Sequence, residues 1–315
     1  MQLKPIIPFE PVSTDTIPSG ENWIAQIKWD GVRVLTYYDG HNVKLYNRKI
    51  NERTDHYPEL TKIKSYCKAN SVILDGEIIA LDSDGRPSFN EIMRRDAIKQ
   101  MERVKDIRKK VKITYMVFDV VYCNGNWLDE WSLKERNELL TNILIPGEYV
   151  QLVSTHHDAI TLFNVIKQYQ MEGILIKDLN SRYYINGKND RWQKKKFYRD
   201  LVAVVGGVTL RGRIVNALLL GLYDKKGQLW YIGHAGTGKL KHSDWKKLTE
   251  RVKPLVTNQR PFINKPQRIN KAIWLRPELT AKIQFAEWTK GKVLRQPSIQ
   301  AFVELSPEEC IFIEE

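Results

Sequence analysis

Long apolar runs and paired cysteines are both missing from this 315-residue sequence. No stretch approaches the roughly 18 apolar residues of a membrane-spanning helix, and the N-terminus lacks the apolar core and cleavage site of a signal peptide. The three cysteines, Cys67, Cys123 and Cys310, lie far apart and form no CxxC pair, which argues against a zinc knuckle and a secreted disulfide scaffold. We therefore expect a cytoplasmic protein that does not contact a membrane.

Acidic residues are too few to balance the basic ones. The sequence has 50 Lys and Arg against 37 Asp and Glu, a formal net charge of +13. This excess favours a polyanionic partner, with nucleic acid ahead of an acidic membrane surface. A basic protein without such a partner stays an open alternative. Because 42% of the residues are hydrophobic, the chain can bury a core, and its length suggests about two domains.

Hydrophobic periodicity in the first two-thirds of the chain alternates between strand and helix. Period-2 segments predict strands over 22–48, with a hairpin at D-G-H-N, and over 71–81 and 111–122; a short apolar run predicts a buried strand over 173–177. Apolar residues at helical spacing predict a helix from Ser88 that includes a basic stretch, 94–112. Ser132 and Glu135 form a capping-box pattern ahead of another helix. These elements indicate an α+β domain.

After Trp192 the sequence changes to a basic run followed almost entirely by strands. Segments such as L-V-A-V-V-G-G-V and A-L-L-L-G-L-Y-D are strand-like, and one helix over roughly 243–253 interrupts them. This pattern predicts a five-stranded barrel. The predicted domains are therefore residues 1–198 and 199–315.

A glycine-rich segment, G-H-A-G-T-G-K-L at 233–240, matches the beginning of a phosphate-binding P-loop. That motif then requires Ser or Thr to hold Mg²⁺, and Leu240 stands in this place. Its surroundings are also barrel-like and not βαβ. We interpret the segment as a turn between a strand and a helix.

Lys28, in I-K-W-D-G-V-R, is the strongest candidate for covalent chemistry. K-x-D-G alone is a weak signal, because an exposed lysine before an Asp-Gly turn has the same sequence. Five further segments follow it in order: Y-N-R with Arg48, L-D-G-E with Glu77, F-D with Phe118, E-G-I-L-I-K with Glu172, and W-Q-K-K-K-F with Lys194 and Lys196. On a strand, Lys194 and Lys196 would share one face.

In this order the six segments resemble the covalent nucleotidyltransferase superfamily of DNA ligases, RNA ligases and mRNA capping enzymes. The sequence is most similar to ATP-dependent DNA ligases, in particular the ligase module of bacterial LigD-type end-joining enzymes. The likeness extends to S-R-Y-Y-I-N-G-K and L-R-P-E-L-T-A-K-I-Q-F-A-E-W and covers nearly the whole chain. It implies an adenylation (nucleotidyltransferase, ATP-grasp-like) domain of antiparallel sheets and helices, then an all-β OB-fold barrel. It also implies a location in the bacterial cytosol or nucleoid.

The resemblance assigns a role to each residue of these segments. Lys28 is the implied nucleophile, which attacks the α-phosphate of ATP and carries AMP until the nick is sealed. The implied nucleotide contacts are Gln26 near adenine, Phe118 stacked on it, Glu77 at the ribose, Arg33 and Arg48 at ribose and phosphate, and Lys194 and Lys196 at the α-phosphate. Glu77 and Glu172 are the implied ligands of Mg²⁺ (or Mn²⁺). Each has a structural alternative, such as Phe118 as plain core.

One departure from the resemblance concerns the last motif. Ligases of this type carry Arg and Asp-Lys there, whereas Val303 and Leu305 stand where basic residues are expected. Arg295 matches the upstream arginine and is the candidate for this motif, so we expect slow self-adenylation unless Arg295 or Lys292 substitutes. Two alternatives stay open: an RNA ligase or guanylyltransferase of the same superfamily, and a non-catalytic nucleic-acid-binding module.

Sealing a nick requires contacts to the phosphates of duplex DNA. The basic candidates for these contacts are Arg48, Arg94, Arg95, Lys239, Lys241, Lys246 and Lys247. We expect a monomer that binds nicked or broken duplex DNA, with Ku or a separate polymerase as candidate partners in end joining.

Overall fold

The chain folds into two compact units, Met1–Phe197 and Tyr198–Glu315. The computed structural model describes residues 3–266, 271–289 and 291–312. Within these ranges, no helix has the length and apolar character needed to cross a membrane.

The first unit contains ten strands and four α-helices among its described residues. The strands are β1 Glu10–Ser13, β2 Trp23–Ile27, β3 Val32–Tyr38, β4 Val43–Asn47, β5 Val72–Ile79, β6 Thr114–Cys123, β7 Asn126–Trp127, β8 Val150–Leu152, β9 Gly173–Asp178 and β10 Lys188–Lys196. The helices are α1 Phe89–Asp96, α2 Val104–Lys110, α3 Leu133–Ile143 and α4 Ala159–Gln168.

These strands form two sheets. The first sheet has the order β1-β10-β9-β2, and the second has the order β4-β3-β5-β6-β7, with β8 parallel to β6. On the first sheet, Ala25 and Ile176 pack against α4, while Ile24 and Trp192 pack against Leu35 and its neighbours from the second sheet. Because side chains alternate along a strand, the first sheet turns one face to α4 and the other to the second sheet.

Helices α1 and α3 begin where the sequence predicts, but α1 is shorter than predicted. α3 starts at the capping box of Ser132 and Glu135, as predicted. The single helix predicted through 94–112 is wrong, because α1 ends at Asp96 and α2 begins only at Val104. Arg95 and Asp96 are both buried, with Arg95 bonded to Glu59 and Asp96 accepting the Tyr57 hydroxyl at 2.8 Å. These inward contacts fix the end of α1.

The second unit is mainly one curved sheet. Its elements are β11 Arg199–Arg211, β12 Ile214–Tyr223, β13 Leu229–Ala235, α5 His242–Val252, β14 Val256–Thr257, β15 Ala272–Phe285, β16 Glu287–Trp288, β17 Leu294–Arg295 and β18 Ser298–Val303. The sheet order is β13-β12-β11-β15-β14, and β18 pairs with β15. Ile299 of β18 exchanges hydrogen bonds with Thr237 and Lys239. These bonds bring the two sheet edges together, so the five longer strands curve into the predicted barrel.

The glycine-rich segment lies at this closure. It runs from the end of β13 into the turn before α5, and Gly238 has a φ of +146° against the backbone of Ile299. A side chain at position 238 would collide with that backbone. The segment is therefore a turn in a barrel, as the sequence predicts, and not a phosphate loop of a βαβ unit.

Candidate active site

The predicted nucleotide residues lie on the facing sides of the two sheets of the first unit. In the first sheet, Trp192 pairs with Lys177, Lys194 with Leu175, and Lys196 with Gly173. Ile24 pairs with Lys177 and Gln26 with Leu175 on the other side. Strand alternation therefore places Gln26, Lys177, Lys194 and Lys196 on one face. Across from it, Arg33 of β3 is paired with Glu77 of β5.

Lys28, Glu172 and Lys196 form a compact charged cluster. Lys28 Nζ donates to Glu172 Oε2 at 2.6 Å, and Lys196 Nζ lies 2.9 Å from Glu172 Oε1. All three side chains are largely buried, with 14–21% exposure. Burial alone would raise the pKa of Glu172, but the two ammonium groups outweigh burial and lower it. One carboxylate thus holds the two lysines next to each other.

Glycine at two positions allows this close packing. Gly173 has a φ of +149°, and a Cβ there would collide with the carbonyl oxygen of Lys195 on β10. The Lys28 N–H donates to the Gly173 carbonyl at 2.9 Å, which fixes the backbone of the lysine. At Gly31, a Cβ would collide with the carbonyl oxygen of Ile78 on β5. At both positions, the absence of a side chain lets a neighbouring strand backbone come this close.

Arg33 is held by a buried carboxylate beneath the cluster. Its Nε and Nη2 donate to Asp75 at 2.9 Å and 2.5 Å, and its Nη1 donates to the Phe9 carbonyl at 2.8 Å. The Tyr183 hydroxyl donates to the same Asp75 at 2.6 Å. The guanidinium carbon also lies 5.3 Å from the centre of the Phe118 ring. These contacts fix the orientation of the Arg33 guanidinium.

Glu77 has a strongly altered acidity. Burial raises its pKa to about 8, although Lys28 and Arg33 act in the opposite direction. At neutral pH the side chain is therefore mostly a carboxylic acid, which can donate one hydrogen bond and accept others. This chemistry suits the hydroxyl groups of a ribose.

Phe118 is only 6% exposed and packs among core side chains of both sheets. Phe118 therefore packs as a core residue, which is the structural alternative to a nucleotide contact. Its stacking on adenine stays a prediction. Sequence reasoning missed the residue next to it. Lys177 is fully buried on β9, with Nζ 4.3 Å from the Phe118 ring centre and 4.1 Å from that of Trp192. Its pKa falls to about 7, mainly because of burial.

Two buried polar atoms on this face have no hydrogen-bond partner in the part of the chain that the structure describes: Gln26 Oε1 and Lys177 Nζ. Buried polar atoms are nearly always paired in native proteins. An acceptor and a donor left open on one face fit the 6-amino group and N1 of an adenine. Gln26 and Lys177 are therefore candidates for contacts to the edge of a purine base, and this role stays a prediction.

Lys194 and Arg48 lie at the edge of this site. Burial and the nearby Lys188, Lys196 and Lys28 lower the pKa of Lys194. Arg48 follows β4, is 62% exposed and lies 3.8 Å from Glu10. Its exposure leaves the guanidinium accessible to a large substrate.

The predicted metal ligands do not form a ready-made metal site. No group of three or more His, Cys, Asp or Glu side chains in the described residues could hold an ion. Of the two predicted ligands, Glu172 is bonded to lysines. Mg²⁺ commonly uses one or two carboxylates together with substrate phosphates and water. The two residues fit that pattern only when a phosphate-bearing substrate supplies further oxygens.

The predicted DNA contacts divide into exposed and buried residues. Arg94 is exposed and lines an open pocket of about 760 Å³ between α1 and α2. Arg95 is fully buried and bonded to Glu59 and to the His56 carbonyl, so its prediction as a DNA contact is wrong. The four lysines predicted in the second unit are all exposed: Lys239, Lys241, Lys246 and Lys247.

The residues of the altered last motif lie in the second unit. Arg295 of β17 donates to Glu287 of β16 at 2.6 Å and is 24% exposed. Leu305 packs against the core of the barrel, and the Val303 and Leu305 carbonyls both accept from the Thr280 hydroxyl. The Leu305 side chain thus belongs to barrel packing, Val303 contributes its backbone carbonyl, and the role of Arg295 stays a prediction.

Family models match both units of the chain. The model described as ATP dependent DNA ligase domain matches residues 11–196, more than half of the chain. The model described as ATP dependent DNA ligase C terminal region matches residues 211–304.

Relatives and solved structures agree with these matches. The Mycobacterium tuberculosis multifunctional non-homologous end joining DNA repair protein LigD is 30% identical over 292 residues, covering 88% of this chain and 35% of that protein. The chain thus spans about a third of the length of this relative. The crystal structure of the M. tuberculosis LigD ligase domain is 26% identical and covers 98% of both chains, with a TM-score of 0.52. A structure of mycobacterial DNA ligase D complexed with ATP and MES is 27% identical, covers 97% of this chain and 98% of the other, and has a TM-score of 0.52. They confirm the predicted fold, an adenylation domain followed by an OB-fold.

Proposed function

Because this chain belongs to the ATP-dependent DNA ligase family, we propose that it seals breaks between a 5′-phosphate and a 3′-hydroxyl in duplex DNA through a covalent lysyl-AMP intermediate. The observation that carries the proposal is the cluster of Lys28, Glu172 and Lys196 beside the Arg33–Asp75 pair. It combines an amine nucleophile with cations among largely buried side chains.

In the first step, the Lys28 amine attacks the α-phosphorus of ATP. An N–P bond forms, the bond to the β-phosphate oxygen breaks, pyrophosphate leaves and the amine loses its protons to solvent. AMP then moves to the 5′-phosphate of the break, and the 3′-hydroxyl displaces AMP. Lys194 and Lys196 stabilise the charge that develops on the α-phosphate, and Arg33 and Arg48 contact the ribose and phosphates.

The base and ribose contacts follow from the chemistry of the remaining side chains. Gln26 and Lys177 bind the edge of adenine, Phe118 contacts its face, and Glu77 binds a ribose hydroxyl. Glu172 and, in its carboxylate form, Glu77, together with phosphate oxygens of the substrate, would hold Mg²⁺ or Mn²⁺. The metal would neutralise phosphate charge when it is bound.

The cellular setting is proposed from the relatives. LigD relatives are described as end-joining proteins, which favours a repair role for this chain with Ku or a separate polymerase as partners. We propose that the ligase acts as a monomer in the bacterial cytosol or nucleoid. The net charge of +13 and the exposed lysines of the second unit support binding to duplex phosphates.

Nick sealing with and without ATP tests the proposal. Wild type and Lys62→Ala, which removes an exposed surface lysine, should both form the adduct and seal a labelled nick. Lys28→Arg preserves a positive charge next to Glu172 but removes the nucleophile, so adduct formation and sealing should both disappear. Sealing by Lys28→Arg, or a wild-type protein that seals without any AMP on Lys28, would overturn the proposal.

A further inference from the structure

The base end of the proposed nucleotide site has side chains that can reverse their hydrogen-bond roles. We propose that the chain also accepts 6-oxopurine nucleotides, transferring GMP from GTP or IMP from ITP to Lys28, because Gln26 and Lys177 can each serve as donor or acceptor. This inference deepens the proposed function and rests on it. The step balances as for ATP: a Lys28 N–P bond forms, the α–β phosphoanhydride bond breaks and pyrophosphate leaves.

Gln26 is the first reversible group. The side chain is 2% exposed, its Nε2 lies 3.4 Å from Thr155 Oγ1, and its Oε1 has no partner in the described part of the chain. In this orientation the amide offers an acceptor to the base, as the 6-amino group of adenine requires. Turned over, it would offer NH₂ to the 6-oxygen of guanine or hypoxanthine. The Thr155 hydroxyl can accept or donate, so it satisfies the other end of the amide in both orientations.

Lys177 is the second reversible group. An ammonium is only a donor, whereas a neutral amine also has a lone pair that can accept. Nζ is fully buried between the Phe118 and Trp192 rings, where the charged form is disfavoured. The charged groups around it are Asp119 and Asp75, which favour the ammonium, and Arg33 and Arg136, which oppose it. Burial is the largest influence and brings the pKa of Lys177 to about 7, so both forms exist near neutral pH.

The two purine types need opposite partners at these two positions. Adenine presents a 6-amino donor and an N1 acceptor, whereas 6-oxopurines present an O6 acceptor and an N1–H donor. Glu in place of Gln26 would lack this freedom. A carboxylate only accepts, so it would face O6 with like polarity. A buried mismatch of this kind changes an equilibrium by roughly 5- to 150-fold. A chain with Gln at position 26 therefore discriminates less between ATP and 6-oxopurine nucleotides than a chain with Glu there.

Intact-protein mass spectrometry of the lysyl adduct formed with ATP, GTP or ITP tests the proposal. ITP has the same O6 and N1–H as GTP but lacks the 2-amino group. It therefore tests the hydrogen bonds at O6 and N1 without a possible collision of the 2-amino group with the protein. Wild type should form the ITP adduct at a rate within about tenfold of the ATP adduct. Gln26→Glu should lower the ITP-to-ATP rate ratio by at least about fivefold. Gln151→Glu, the same change on the exposed face of β8, should leave the ratio unchanged.

The outcomes separate this inference from the proposed function. An ATP adduct together with an ITP rate more than about tenfold lower would overturn the inference and leave the ligase proposal intact. An unchanged ratio in a folded Gln26→Glu would overturn it too. No adduct from any nucleotide would overturn both. Because the wild-type ratio is measured independently, the inference is tested even where Gln26→Glu fails to fold.

Discussion

Replacing Asp75 by Asn tests how the active site is held in place. Asp75 is fully buried and accepts two hydrogen bonds from Arg33 and one from the Tyr183 hydroxyl. The substitution preserves the shape but removes the charge, and it turns an amide NH₂ toward groups that are themselves donors. Breaking a buried ion pair by changing one partner costs about 3–5 kcal/mol. Since Arg33 retains its bond to the Phe9 carbonyl, we expect a loss of about 3 kcal/mol.

Urea unfolding of the full chain at pH 7, followed by circular dichroism, measures this loss in the free energy of unfolding. The matched control is Glu130→Gln, which removes the charge of an exposed ion pair to Arg182 in the same unit. Exposed pairs contribute about 0–1 kcal/mol, so the control should remain close to wild type. Lysyl-AMP formation by Asp75→Asn should also fall more than about tenfold, because Arg33 loses its fixed orientation. A loss in Asp75→Asn no larger than in the control would refute the reasoning.

Three further substitutions test other parts of the structure. The pKa of Glu77 is raised to about 8, so the folded state favours the acid, and wild type should lose stability relative to Glu77→Gln as pH rises from about 5 to about 8. The unfolding free energies should diverge by at most about 5 kcal/mol, and a constant difference would contradict the shift. Arg95→Met should cost about 3–5 kcal/mol without altering the salt dependence of DNA binding; a changed salt slope would place Arg95 at the DNA. Lys246→Ala combined with Lys247→Ala should reduce the slope of log Kd against log salt by roughly 1–2, and an unchanged slope would exclude both lysines from the DNA surface.

Much of the fold follows from the sequence because local signals and tertiary packing agree. The D-G-H-N turn between β3 and β4, the Ser132–Glu135 capping box and the strand-rich second unit all appear where the patterns indicate. Strand alternation also predicts that Lys194 and Lys196 share a face, and the register of β10 on β9 agrees with this. These features depend on residues close together in the chain, which is why a single sequence contains them.

The features that the sequence does not indicate depend on long-range burial. Arg95 and Arg94 are neighbours with the same side chain, yet one is bonded to Glu59 inside the protein and the other is exposed. Lys177 belongs to a strand of apolar residues, and its pKa is lowered mainly by burial, to which the packing of Phe118 and Trp192 against it contributes. A lysine within a buried strand, I-L-I-K, was the one signal that could have identified it.

The charges around Lys28 link these buried contacts to the proposed chemistry. Near neutral pH, the raised pKa of Glu77 leaves Glu172 as the main anion facing Lys28 and Lys196. Glu172 contacts two lysines at once, and burial and the nearby Lys188, Lys196 and Lys28 lower the pKa of Lys194, so this concentration of ammonium groups favours a polyanionic ligand. The 2.6 Å bond from Lys28 to Glu172 also occupies the amine. A nucleotide must therefore do two things when it binds: its phosphates replace Glu172 as the partner of the lysines, and the bond that restrains Lys28 is broken before the amine can attack.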